Sequence, residues 1–242
     1  MVYSSKQNPL IKEIASLKDK KHRQNLGLYI AEGVKMVNEA IDSNQPIKYL
    51  VVTEETLPLI KQTSAEVLVV TSNVFSYISE EMTPQGALVV IKIPNLTCKK
   101  PTRNAIVLDG VSNPGNMGTI IRTANAFGYK DIYLINCVDP YSGKTVRSSM
   151  SGIYFVNLYK TSVSELKSVL DGYKIIVADM SGENLDNFKV DGNFAIVVGN
   201  EANGISKEMF EIADTVVSIP MDDSAESLNV AVASSIMMYK LK

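Results

Sequence analysis

Short apolar runs bounded by polar turns read as strands, and apolar residues three and four apart read as helices. On that basis the first part of the chain alternates. A helix is predicted over residues 8–22, with Leu10, Ile11, Ile14 and Leu17 on one face and lysines on the other. Asn8-Pro9 suits its start, as cap and first helical position. Then follow a strand at 28–31, a helix at 34–42, a strand at 47–52, a helix at 55–62, a strand at 67–70, a short helix at 74–78 and a strand at 87–91. The pattern lapses at Pro94-Asn95-Leu96-Thr97-Cys98-Lys99-Lys100-Pro101-Thr102, a polar stretch with proline at each end that suits a linker. We therefore expect a first domain at 1–93, a linker at 94–103 and a second domain at 104–242.

The second domain alternates more regularly. Strands are predicted at 105–108, 131–135, 154–157, 174–178, 194–198 and 215–219. Helices are predicted at 116–127, 144–150, 163–170 and 206–212, with a last one from near Ser227 to the end. Apolar strands alternating with helices imply an α/β fold with a parallel sheet covered on both faces. Ligands sit beyond the C-terminal strand ends of such sheets.

Three segments pass from strand through polar turn to helix. The first is Leu108-Asp109-Gly110-Val111-Ser112-Asn113-Pro114-Gly115-Asn116, leading into a helix that carries Arg122 and stops at Gly128. Asn116 is placed to cap that helix. The second is Ile196-Val197-Val198-Gly199-Asn200-Glu201-Ala202-Asn203-Gly204-Ile205, and the third is Ile219-Pro220-Met221-Asp222-Asp223-Ser224-Ala225-Glu226-Ser227-Leu228-Asn229-Val230-Ala231-Val232-Ala233, where Ser227 is the expected cap. All three turns should gather on one sheet edge.

Composition narrows the chemistry. With 242 residues, 45% hydrophobic and 21% charged, the chain is an ordinary globular protein. Its net charge of -2 makes no global case for a nucleic-acid partner, but residues 6–23 hold six Lys or Arg against two acids. That basic end suits a polyanion. Cys98 and Cys137 have no Cys-x-x-Cys spacing and read as free thiols in a reducing compartment. Residues 1–16 lack the apolar core of a signal peptide, and no apolar run is long enough to span a membrane, so a cytoplasmic protein is expected. The single histidine, His22, lies in the basic region, which removes a His-based triad or His-ligated metal from the second domain. Gly115 and Gly118 do not make a dinucleotide fingerprint, and there is no P-loop. Arg122, Glu201, Asn116, Ser227, Asn229 and backbone groups remain, a set suited to positioning and electrostatics.

The three segments resemble the signature motifs of the SpoU (TrmH-like) family of RNA ribose 2′-O-methyltransferases, of the SPOUT class. The matching residues are Asn113-Pro114-Gly115-Asn116 with Arg122, Gly199-Asn200-Glu201 with Gly204, and Ile219-Pro220-Met221 with Ser227-Leu228-Asn229, in that order. Asn8-Pro9-Leu10-Ile11-Lys12 through Tyr29-Ile30-Ala31-Glu32-Gly33 resembles the L30e-like substrate-binding domain that many members carry. The resemblance implies an L30e-like α/β domain followed by a SPOUT domain with a C-terminal deep trefoil knot. It implies S-adenosylmethionine (AdoMet) as cofactor, held by Gly199, Ile219, Met221, Leu228 and Asn229, and a homodimer through the knotted domain. It assigns Arg122 the central catalytic role, with Asn116, Glu201, Ser227 and Asn229 positioning it, the ribose or the loop. Lys12, Lys20, Lys21 and Arg23 would meet RNA phosphates. A 23S-type ribosomal RNA guanosine is the expected target. The alternatives are transfer RNA, or a non-catalytic RNA-binding protein of the same fold. A doubly wound oxidoreductase is disfavoured by the missing glycine fingerprint. One departure is Asp223, where members often carry glycine.

Overall fold

The computed structural model describes residues 2–242. The chain forms two compact units, Met1–Asn95 with Tyr141–Tyr154, and Leu96–Pro140 with Phe155–Lys242.

The first unit contains β1 (Val2–Tyr3), α1 (Pro9–Ser16), α2 (Lys20–Leu26), β2 (Leu28–Glu32), α3 (Val34–Asp42), β3 (Ile47–Val52), β4 (Glu66–Val70), α4 (Ser72–Ile78) and β5 (Ala87–Lys92). Its sheet runs β1-β4-β3-β5-β2, with β5 antiparallel to both neighbours. Ile11, Ile14 and Leu17 pack with Val51, Leu68, Phe75 and Leu88.

Four features differ from the expectation. The helix expected over 8–22 is two helices. Asn8 caps α1 as predicted, but the Asp19 side chain accepts from the Lys21 amide and starts α2 afresh. Arg23, expected to face RNA, is only 4% exposed. Its guanidinium donates to the carbonyls of Leu17 at 2.8 Å and Lys18 at 2.7 Å, satisfying acceptors that the end of α1 leaves open. The helix expected at 55–62 is a single 3-10 turn, Leu57–Leu59. Pro58 supplies no N–H and disfavours helical geometry in the residue before it. The two-residue β1, pairing with β4, is too short to show a period.

The second unit contains β6 (Ala105–Asp109), α5 (Pro114–Phe127) and β7 (Asp131–Ile135). Then comes α6 (Gly143–Ser148), followed by a 3-10 segment, Met150–Phe155, at the place where a strand was expected to begin. The strand β8 lies at Asn157–Lys160 instead. Next are α7 (Val163–Val169), β9 (Lys174–Asn184), β10 (Phe194–Val198), α8 (Lys207–Glu211), β11 (Thr215–Ser218) and α9 (Val230–Lys240). The sheet order is β11-β9-β10-β6-β7-β8, and every pair is parallel. Every residue of β6, β7 and β10 is buried, which accounts for their unbroken apolar runs. The order reverses between β6 and β10, where such a sheet opens a crevice. α9 packs along α5, with the Phe127 and Tyr239 rings 5.6 Å apart.

Residues 141–154 join the first unit, not the second. The Tyr141 ring lies 4.9 Å from that of Tyr29, and Arg147 pairs with Glu80 and Glu81. Tyr154 donates its hydroxyl to the Met36 carbonyl at 3.3 Å, and Gln45 donates to the Tyr154 carbonyl at 3.3 Å. No helix among the described residues is long and apolar enough to cross a membrane.

Candidate functional site

The turn after β6 sets the geometry. Asn113, not Asn116, caps α5; its side chain accepts from the amides of Gly115 at 2.8 Å and Asn116 at 3.3 Å, and Pro114 takes the first helical position. This frees the Asn116 side chain. Its Nδ2 donates to Glu201 Oε1 at 3.0 Å, and its Oδ1 accepts from Asn229 Nδ2 at 3.1 Å. One amide thus joins the turns after β6, β10 and β11, which do gather on one sheet edge.

Glu201 is the knot of hydrogen bonds at that edge. Its Oε2 accepts from the Ser112 amide at 3.1 Å and the Ser112 hydroxyl at 2.8 Å, while Oε1 accepts from the Asn113 amide at 3.1 Å and from Asn116. Burial pushes this carboxyl up, but the donors outweigh it: the Asn116 amide, its own backbone N–H, and the Ser112 hydroxyl and amide hold it at about 2. A carboxyl depressed on folding stabilises the protein above its ordinary 4.5 and loses that contribution as pH falls through about 2. Glu201→Gln turns one acceptor oxygen into an NH2 group facing amide donors. Its melting temperature is therefore expected to fall less than the wild type's as pH drops from 4.5 to about 2, and parallel curves would sink this role.

The turn after β10 is closed by Asn200, which the sequence reading left unassigned. Its Nδ2 donates to the Gly110 carbonyl at 2.7 Å, and its Oδ1 accepts from the amides of Ala202 at 2.9 Å and Asn203 at 3.0 Å. Backbone bonds between Asn200 and Gly204 finish the loop. Gly199 lies hard against the returning strand, so a Cβ there would overlap the Gly204 carbonyl and stand 2.5 Å from the Ile205 nitrogen. The last helix starts at Val230, capped by Asn229 through the amides of Ala231 at 2.9 Å and Val232 at 3.4 Å. Ser227, the expected cap, lies exposed in the preceding loop.

A cavity of about 430 Å³ opens beside these turns. Its wall includes Gly199, Ile219, Met221, Leu228 and Asn229, the five residues expected to hold a cofactor, together with Ser227 and Glu201. The volume suits a nucleoside-sized ligand. Asn116 is not in the wall but is bonded to it through Asn229 and Glu201. Arg122 is not in the wall either. It is exposed on α5, with no hydrogen bond or ion pair among the described residues. Asp222, beside Asp223, accepts from the Ser224 amide at 3.0 Å within its own turn. Lys12, Lys20 and Lys21 are exposed on α1 and α2 of the first unit, where Arg23 is not.

Residues 103–239 match the SpoU rRNA Methylase family, and residues 8–89 match the MRM3-like substrate binding domain. Over 98% of its length the chain is 32% identical to the 23S rRNA (guanosine(2553)-2'-O)-methyltransferase RlmP of Bacillus subtilis, covering 98% of that protein. A TrmH-family structure from Porphyromonas gingivalis is 28% identical with a TM-score of 0.89, over 97% of each chain. The AdoMet-bound rRNA methyltransferase of Sinorhizobium meliloti is 28% identical with a TM-score of 0.87, over 99% of this chain and 96% of that one. The chain belongs to the SpoU rRNA methylase family of AdoMet-dependent RNA methyltransferases, with an MRM3-like substrate-binding domain ahead of its catalytic domain.

Proposed function

We propose that this protein transfers a methyl group from AdoMet to a ribose 2′-hydroxyl of ribosomal RNA, a 23S-type guanosine first among targets. The observation that carries the reading is the cavity of about 430 Å³ at the strand ends, with Gly199, Ile219, Met221, Leu228 and Asn229 in its wall. The target follows the RlmP relative, which matches along nearly the whole chain. In this reading the first unit grips RNA, with Lys12, Lys20 and Lys21 meeting phosphates, and the second unit holds the chemistry. α9 returns from the sheet edge at β11 to pack on α5 and β10, which supports the trefoil knot of the family. A homodimer through this domain would use the exposed Ile236 and Tyr239 of α9. A cytoplasmic setting follows from the substrate.

When bound, AdoMet supplies an electrophilic methyl group on a sulfonium. The chain supplies the rest. Ile219, Met221 and Leu228 give an apolar wall for a planar base, and the backbone of the turns offers edge donors and acceptors. Asn116, Glu201 and Asn229 lock the turns together, so the pocket is formed before substrate arrives. Arg122 presents a planar cationic guanidinium with five N–H donors and no acceptor, a poor base and a good partner for anions. An RNA phosphate would orient it, and it would stabilise the negative charge that develops on the 2′-oxygen as that oxygen gives its proton to water and takes the methyl from the sulfonium, whose S–CH3 bond breaks.

Calorimetric titration with AdoMet should give saturable binding. Mapping of 2′-O-methyl groups in RNA from cells lacking the protein should show one ribosomal site lost. Absence of binding even with RNA present would overturn the proposal, and loss at a transfer-RNA site would redirect it.

A further inference from the structure

The pairing of β9 with β11 is interrupted. Val216 faces Val177, but Val217 faces Glu183. Residues 178–182 are thus left without partners on β11 and bulge from the ladder. Gly182 closes the bulge in a space only glycine fits, since a Cβ there would lie 2.5 Å from the Val216 carbonyl carbon and from the Val217 nitrogen. Ala178, Asp179 and Met180 are carried into the cavity wall.

Asp179 is half-buried. Its Oδ1 accepts from the Ser181 amide at 3.0 Å and the Ser181 hydroxyl at 2.7 Å, which fixes the carboxylate. Its Oδ2 has no hydrogen bond, and the residue has no ion pair, among the described residues. The cavity's other carboxylate, Glu201, has both oxygens engaged. Asp179 is therefore the acid in the wall with acceptor capacity to spare.

We propose that Asp179 accepts hydrogen bonds from the vicinal ribose hydroxyls of AdoMet and so selects the nucleoside half of the cofactor. This rests on the cofactor reading above. A vicinal diol offers two donors and no charge that Asp179 would repel. The amino-acid end offers an ammonium, but brings a carboxylate with it. Contact with the sulfonium would stabilise the positive charge that methyl transfer discharges, favouring the ground state over the transition state.

Calorimetric titration of the full chain and of Asp179→Asn with three probes tests the assignment. AdoMet carries the diol, the ammonium and the sulfonium; S-adenosylhomocysteine lacks the sulfonium; 5′-methylthioadenosine lacks both charged groups and keeps the diol. Asp179→Asn should weaken all three by a similar factor, about ten-fold or more. A loss confined to AdoMet would assign Asp179 to the sulfonium, a loss confined to the first two would assign it to the ammonium, and unchanged affinities would leave it no role; each overturns the proposal. The 2′,3′-dideoxy form of 5′-methylthioadenosine gives a check on the unaltered protein. The wild type should bind it about ten-fold more weakly than the parent probe, and equal binding would overturn the proposal. A wild type that binds AdoMet beside an unaffected variant fails this inference alone. A wild type that binds no probe fails the cofactor reading with it.

Discussion

Arg122→Ala is expected to lower methyl transfer about 10²–10³-fold, the usual loss when a donor aimed at developing negative charge is removed. AdoMet affinity and melting temperature should stay near wild type, because Arg122 is exposed, bonded to nothing among the described residues, and absent from the cavity wall. Single-turnover assays on an rRNA transcript, beside calorimetry, separate the two quantities. Arg122→Lys is the sharper probe. It keeps the charge but loses the planar fork that grips a phosphate and an alkoxide together. An intermediate rate fits the clamp, and a full rate would sink it. A variant that lost affinity as sharply as rate would place Arg122 in the cofactor site instead.

Gly199→Ala should damage both the stability of the second unit and its cavity. The added methyl would meet backbone of Gly204 and Ile205, not a side chain that could swing away. Overpacking of this kind costs about 1–3 kcal/mol, and the upper end applies where only backbone can yield. Each kcal/mol lowers the melting temperature of a chain this size by about 2–4 °C. Displacing Gly204 also disturbs its bonds with Asn200, whose side chain holds the Gly110 carbonyl. AdoMet affinity is therefore expected to fall at least ten-fold. Thermal melts and titration check the pair, and a variant with wild-type values in both would show that the turn can relax.

Most strands were legible because a two-sided parallel sheet leaves an unbroken apolar run, as at Phe194–Val198. The caps were legible only where one rule was applied evenly. Asn8-Pro9 reads as cap and first helical position; Asn113-Pro114 is the same pair, and taking Asn116 instead hid its link to Glu201 and Asn229. Asn229 lost to Ser227 for a similar reason, since either side chain can cap and spacing does not choose. Arg23 was miscounted as a surface charge because a composition window does not see the carbonyls at a helix end. Asp179 gave no signal, since the bulge that brings it to the cavity depends on a pairing with β11 made far along the chain.

The attachment of residues 141–154 to the first unit has a consequence for synthesis. When residue 95 leaves the ribosome, Tyr29, Met36, Gln45, Glu80 and Glu81 still lack the partners described above. About sixty more residues must be translated before Tyr154 emerges, roughly 3–12 s at ordinary elongation rates. During that interval the nascent first unit is unfinished while the opening strands and helix of the second are already being made. Translation speed over this stretch thus becomes a determinant of yield, and a pause site placed within it should raise the share of chains captured by chaperones.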